Sequence, residues 1–291
     1  MAMTKKLIIA SEKNTLYTTK RLLEEAIKLK YSTTWINPYE HLLQNSKKIN
    51  QPGIYLFRTT GVRYDDFDLS CAQHYSLHHF RVSNSLQALS LFRSKDMQSL
   101  FFKEHKINSI PTLMYRGTFS PSLEESLQKI SPTENYILKM NRGNQGIGVN
   151  LIKGLQSLKS ILETFHAMKD QRFTIQPYLL HKKEFRIFII KNEIHGIIER
   201  TITKDDFRGN AKRSSGKLIK KIPLSLREQI EHAFTKSRLD YCGIDLIVDE
   251  VDKDNFKFLE INPVPGFEQI EKLAGTNIAK ELIINLSHYN K

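Results

Sequence analysis

Cysteine is scarce in this chain. Of 291 residues only Cys71 and Cys242 carry a thiol, and they stand far apart without metal-ligand spacing. The pattern argues against a disulfide framework or a zinc ribbon and points to free thiols in a reducing cytoplasm. No apolar run approaches the roughly 18 residues needed to cross a bilayer. The start MAMTKKLIIA has only four consecutive apolar residues after its lysines, so a secretory or membrane origin is set aside. The first strand-like run is not followed by GxGxxG, and the later glycines carry no GK[ST], so neither a dinucleotide site nor a Walker A loop is predicted. No Ser-His-Asp, Cys-His or HExxH signature points to a nucleophile or a zinc hydrolase. Nor is there a zinc knuckle, an RNP-type aromatic strand or a regularly spaced basic helix, so nucleic acid is not read as the main partner. The formal charge of +13 suits either a polyanion or small anionic substrates drawn in by a positive field, and part of it reads as solvated surface.

What is present suffices for two or three α/β lobes. Leu7–Ala10, Thr33–Ile36 and Ile54–Phe57 read as strands around a helix over Thr19–Lys30, with Leu22, Leu23, Ala26 and Ile27 on one face. That alternation predicts a parallel sheet. Arg58 and Arg63 flank Gly61 beyond a strand's C-terminal end, where open α/β sheets place ligands, or else they are surface arginines. A helical stretch over residues 86–106 follows, then Ser120-Pro121 opens a helix as N-cap and first helical residue. Residues 136–152, YILKM-NRGNQGIG-VNLI, form two strands joined by a loop carrying Gly143, Gly146 and Gly148. Such glycines let backbone N–H groups turn onto phosphate oxygens, and Lys139 adds a charge. Taken alone the loop reads as an ordinary turn. Pro177 lies inside the run Phe173–Leu180, which implies an edge strand or a crossing between lobes. Glu184 and Arg186 share a strand face. The basic segment 204–221, with DFRGN and KRSSG, either wraps an anion or lies in solvent. Thr276 caps a final helix over residues 277–286.

The stretch that organises the rest is YCGIDLIVDEVDKDNFKFLEINPVPGF, residues 241–267. Two strand-like runs joined by the polar link Val251-Asp252-Lys253-Asp254 predict a hairpin with Asp245 facing Glu260. Glu260 and Asn262 alternate onto one face, and Asp245 joins them from the partner strand. Two opposed carboxylates need a proton or a cation between them, and a hard ion such as Mg2+ suits carboxylate and amide oxygens. The plain alternative is a half-exposed hairpin whose acids face water.

In this order, KMNRGNQGIGV, the Pro177-Tyr178 hinge, IERTITKDDFRGN, GIDL and LEINPVPGFEQIEKLAG resemble the ATP-grasp ligases, and within them the RimK-type glutamate ligases. The likeness runs from about Leu86 onward. It implies an α/β (α+β) fold in which a small N-terminal lobe, residues 1–92, precedes two α+β subdomains, 93–179 and 180–291, that sandwich ATP. It also implies that Lys95 and Lys139 touch nucleotide phosphates beneath the loop of Gly143, Gly146 and Gly148. Gln176, Pro177 and Tyr178 meet the adenine, and Glu184 the ribose. Arg186, Arg208, Gly209 and Asn210 line the phosphate and acceptor side, with Arg208 or Arg213 as carboxylate clamps, and Asp245, Glu260 and Asn262 hold two Mg2+ ions, or Mn2+ in their place. Two departures stand out: Pro177 where the family usually has an acidic residue, and Ser214-Ser215 where Gly-Gly is common.

The resemblance implies a cytoplasmic, ATP-dependent ligase that makes an amide through an acylphosphate, adding glutamate to a peptide, protein or small-molecule acceptor. A peptide-modifying ligase with another amino acid or an internal acceptor stays open, as does a non-catalytic nucleotide- or RNA-binding protein.

Overall fold

The run Lys6–Ala10 (β1) is apolar on both faces, as a strand buried between two layers must be. The computed structural model describes residues 5–44, 52–60, 63, 65–131, 133–143, 146–168, 172–181, 183–201, 216–248 and 256–287. Helix α1 (Tyr17–Lys28), β2 (Ser32–Ile36), β3 (Gly53–Phe57), α2 (Phe67–Leu77) and β4 (Arg81–Ser83) complete a first lobe. Its four strands are parallel in the order β2-β1-β3-β4, as the alternation predicted. On α1, Leu22 and Ala26 face the core but Ile27 is exposed; Glu25 is buried in its place, ion-paired to Arg21 and Lys28.

The helix expected over residues 86–106 is two helices, α3 (Leu86–Phe92) and α4 (Lys95–Glu104). The break has a polar cause. Arg93 turns inward onto the fully buried Asp68 at 2.6 Å. The carboxamide of Asn141 then takes the Asp96 N–H (3.0 Å) and donates to Ser94 Oγ (2.9 Å), fixing where α4 starts.

The middle lobe comprises β5 (Leu113–Tyr115), α5 (Pro121–Ile130), β6 (Asn135–Met140), β7 (Val149–Lys153), α6 (Leu155–Ala167) and β8 (Phe173–Pro177). Ser120 caps α5 at the Leu123 N–H (3.3 Å). The sheet order is β5-β8-β6-β7, so β8 is a central strand and not an edge. Pro177 is tolerated because it is the last residue of β8 and lies beyond the end of β5, where no ladder N–H is needed. The crossing to the next sheet begins there. This lobe has its own core, with Leu127, Leu138, Leu158 and Ile175 packed together.

The third sheet is antiparallel, ordered β11-β10-β9-β12-β13. It contains β9 (Lys183–Ile190), β10 (Glu193–Thr201), β11 (Gly216–Ile219), α7 (Leu224–Ser237), β12 (Tyr241–Val248) and β13 (Phe256–Asn262). Lys191 and Asn192, both left-handed (φ 46° and 66°), make the tight β9–β10 turn. The open edge of β13 is covered by the segment before β5: Phe258 N–H donates to Asn108 O (2.8 Å), and Asn108 Nδ2 to Phe256 O (2.7 Å). Helix α4 packs Phe101 and Phe102 into the core beneath this sheet.

Helices α8 (Glu268–Ala274) and α9 (Ile278–Ser287) return to the first lobe, where Ile278 and Leu282 join Leu7 and Leu22 in one core. Asn277, rather than Thr276, caps α9 by accepting from the Lys280 N–H (3.0 Å). Among the described residues no helix is long and apolar enough to cross a membrane.

Candidate active site

Alternation along three neighbouring strands builds one charged face. Asp245 of β12 stands opposite Glu260 of β13 on one side and Arg186 of β9 on the other. Gly243 stands opposite Asn262, which follows Glu260 on the same face, and Arg200 of β10 pairs with Glu184 of β9. The reverse face carries Ile187, Ile189, Ile244 and Ile261 in the core. Apolar residues on one side thus fix the polar set on the other.

The pairing reaches Asp245 through a slip. Between Val248 and Leu246 the ladder runs one residue out of the register that a four-residue link would set, with Leu246 on Phe258, and a bulge restores Asp245 to Glu260. The link itself, Val251 to Asp254, lies outside the described residues.

Asp245 also meets cations of the chain itself, on the side away from Glu260. Arg186 Nη1 donates to Asp245 Oδ2 at 2.5 Å, and Arg200 Nη1 lies 4.0 Å from Oδ1. Burial nevertheless pushes the Asp245 carboxyl up to about 6; Glu260 and Glu184 act in the same direction, and the two arginines oppose them. Gly243 leaves room for this arrangement, because a Cβ there would lie 2.9 Å from Pro265 Cβ and 3.1 Å from the Arg186 guanidinium.

A divalent ion suits this donor set. Among the described residues no group of three or more His, Cys, Asp and Glu could hold a metal. Two carboxylates and an amide are instead the hard, incomplete set that Mg2+ accepts when water and phosphates fill the other positions. Asn262 Oδ1 already accepts from the Val264 N–H (2.9 Å), which orients the amide and leaves the oxygen a second lone pair.

The two predicted lysines converge from the opposite wall. Lys95, Lys139, Gln176 and Glu260 line one narrow cleft. Lys95 N–H donates to Asn141 O (3.1 Å) and Lys95 Nζ to Gly143 O (3.3 Å), which ties α4 to the base of the glycine turn. Burial pushes Lys139 down to about 8, with Lys95 repelling it and Glu260 opposing the shift; Lys95 is lowered by burial as well. A cleft that holds two lysines short of full counter-charge is built for an anion. Gly146 and Gly148 both have φ near 76°, and a Cβ at Gly143 would lie 2.6 Å from Ile147 O, so the turn requires glycine at these positions.

Beside the turn, Arg142 reaches the first lobe, donating to Asp66 Oδ1 (2.7 Å) and Oδ2 (2.9 Å), while Arg93 also donates to Asp66 (2.7 Å). Gln176 is buried and donates to Thr112 Oγ1 (2.8 Å). The Tyr178 N–H is engaged by Asn135 O (2.9 Å), which removes it from the backbone groups expected to meet an adenine. Arg208, Gly209, Asn210, Arg213 and Ser214-Ser215 lie outside the described residues, as does Gly61. Arg58 is neither a ligand-facing nor a surface residue: it is buried, donating to Pro265 O (2.8 Å). Arg63 pairs with Glu12 (3.2 Å) and lies over the Tyr39 ring.

The residues that sequence reasoning missed are supports. Gln98 of α4 accepts from the Ile261 N–H (2.8 Å), next to Glu260. Asn84, from the end of the first sheet, is fully buried and bonds both ends of the β12–β13 hairpin. Arg200 did carry a signal, since it continues inward from Ile198 at strand period two.

Fold and cleft together define an ATP-grasp protein, an ATP-dependent ligase by class. A RimK domain ATP-grasp protein of Sphaerobacter thermophilus superposes with a TM-score of 0.75 at 13% identity, covering 96% of this chain and 98% of that one. The chain belongs to the RimK-like ATP-grasp family, whose domain model matches residues 96–286. This family binds ATP with a divalent metal. Relatives include a protein named probable alpha-L-glutamate ligase in Histophilus somni, 29% identical over 307 residues that cover 97% of this chain and 98% of the relative. The ribosomal protein bS6–L-glutamate ligase of Salmonella paratyphi B is 27% identical over 291 residues, covering 96% and 94%.

Proposed function

We propose that this ligase adds glutamate to a peptide or protein carboxylate. The observation that carries the reading is the shared face on which Arg186 and Arg200 stand beside the opposed acids Asp245 and Glu260, across from Lys95 and Lys139. The relatives' names supply the amino acid, and one of them a protein acceptor. Lys95, Lys139 and the N–H groups of Gly143, Gly146 and Gly148 would take the nucleotide phosphates; Asp245, Glu260 and Asn262 would hold Mg2+. When bound, the ion neutralises phosphate charge during transfer.

The chemistry asks for placement more than for a nucleophilic side chain. An oxygen of the acceptor carboxylate takes the γ-phosphoryl group, the bond from that phosphorus to the ADP oxygen breaks, and an acylphosphate forms. The glutamate amine then attacks the acyl carbon. Phosphate leaves, an amide forms, and the amine's proton passes to solvent. Arg186 and Arg200 neutralise the carboxylate and the oxyanion that develops on its carbon.

The test is incubation with Mg-ATP, each amino acid in turn and a cell extract, followed by mass spectrometry and ADP release. Glutamate-sized additions are expected. ADP release with some other amino acid alone overturns glutamate and leaves the ligase standing.

A further inference from the structure

Helix α8 lies close against the third sheet because two strand residues beneath it carry no side chain. A Cβ at Gly196 of β10 would lie 3.3 Å from Ile270 Cγ2, and one at Gly216 of β11 would run into the Gln269 amide. Gly216 is the cross-strand partner of Arg200. The Gln269 side chain therefore rests over that pair, and its Oε1 accepts from Arg200 Nε (3.2 Å) and Nη2 (3.1 Å). One edge of a planar guanidinium is fixed in this way, on an arginine that is itself buried. Nη1, outside that edge, is the nitrogen that lies 4.0 Å from Asp245 Oδ1. The helix is anchored in turn to α1, where Tyr17 Oη (2.9 Å) and Arg21 Nε (3.0 Å) donate to Glu271.

We infer that Gln269 is a positioning residue for the acceptor carboxylate, acting through Arg200, and that a neutral amide is required at this place. The inference rests on the ligase reading above, in which Arg200 neutralises that carboxylate. Held along one edge, the guanidinium has less side-chain freedom to lose when the substrate arrives. The charge of the holder matters equally. A carboxylate would grip the same two donors more strongly, as Asp245 grips Arg186 at 2.5 Å, but it would cancel positive charge that the substrate is to meet. An amide accepts without adding charge.

Steady-state ADP release by the full chain tests this, with Mg-ATP and the amino acid that supports release both saturating and the cell extract as the varied source of acceptor; Mg-ATP affinity is titrated separately. Gln269→Leu is expected to raise the half-saturating extract about tenfold, the scale of a hydrogen bond to a charged group, while Mg-ATP affinity stays within about twofold. Gln269→Glu is the discriminating change. It is expected to unfold in urea no earlier than wild type, yet to lose about tenfold or more in ADP release at limiting extract. A Gln269→Glu variant as active as wild type overturns the inference and leaves Gln269 a prop for the sheet. So does a Gln269→Leu variant that weakens Mg-ATP and extract alike, or neither. A wild type that releases no ADP with any amino acid and extract overturns the ligase reading and the inference together. If Gln269→Leu does not fold, Gln269→Glu decides.

Discussion

Asn84 and Pro263 lie 179 residues apart, yet the Asn84 carboxamide donates to the Pro263 carbonyl at 2.7 Å. The same side chain donates to Tyr241 O (3.0 Å) and accepts from the N–H groups of Asp240 (2.6 Å) and Tyr241 (3.2 Å). One amide from the first sheet thus pins the start of β12 and the end of β13. The strands that carry Asp245 and Glu260 are held at the ends where an antiparallel pair would otherwise fray.

Replacing Asn84 by Ala leaves two N–H groups and two carbonyls in a dry site without this partner. A loss of about 3 kcal/mol is expected in urea unfolding, the scale of buried polar groups left unmade. Asn84→Asp keeps the two acceptor contacts and loses the two donor ones, so it should still destabilise.

The opposed acids should separate stability from activity. Glu260→Gln removes a like charge facing Asp245 and is expected to leave the midpoint of urea unfolding unchanged or raised. Asp245→Asn takes the ion pair from Arg186 and is expected to lower it. Either change should reduce Mg-ATP-dependent ADP release about a hundredfold or more, on the scale of losing one preorganised charge contact.

Lys139 gives a pH signature of nucleotide binding. Burial lowers its ammonium to about 8 in the unliganded cleft, so above that pH it is mostly neutral. A bound phosphate favours the charged form and raises it again. ATP binding is therefore expected to take up protons, more at pH 8.5 than at pH 7. Calorimetry in buffers of different ionisation enthalpy reads that uptake directly, and Lys139→Met should reduce it.

Asp66 should govern part of the acid limb of stability. Although burial raises its carboxyl, hydrogen bonds and charge from Arg142 and Arg93 outweigh that and hold it below the ordinary carboxylate range. The stabilisation it provides is present above the unfolded value and is lost as the pH falls through the lower folded one. Asp66→Asn is expected to flatten the fall in urea midpoint below about pH 4 relative to wild type.

The sequence made the local parts of this site legible. Alternation set Glu260 with Asn262 and Glu184 with Arg186, because apolar residues on the reverse face leave a strand no choice of side, whereas the link length that put Asp245 opposite Glu260 reaches that pairing only through a bulge. Capping at Ser120 was legible for the same reason, being settled within four residues. The supports were not. Gln98 reaches Ile261 and Asn84 reaches Pro263 across more than half the chain, and nothing in the periodicity around either residue marks it as other than a surface amide. The break at Arg93 was hidden likewise, since its cause is a buried Asp68 on another helix.

The packing of α9 against α1 has a consequence for how the protein comes into being. Leu7, Ile9, Leu22 and Ala26 share a core with Ile278, Leu282 and Leu286. On the ribosome the opening lobe can form its strands early, but one wall stays bare until α9 has emerged. Apolar surface is then open to wrong association for most of synthesis. A product cut short before α9 is expected to be not a smaller enzyme but a sticky one, suited to chaperones or proteases.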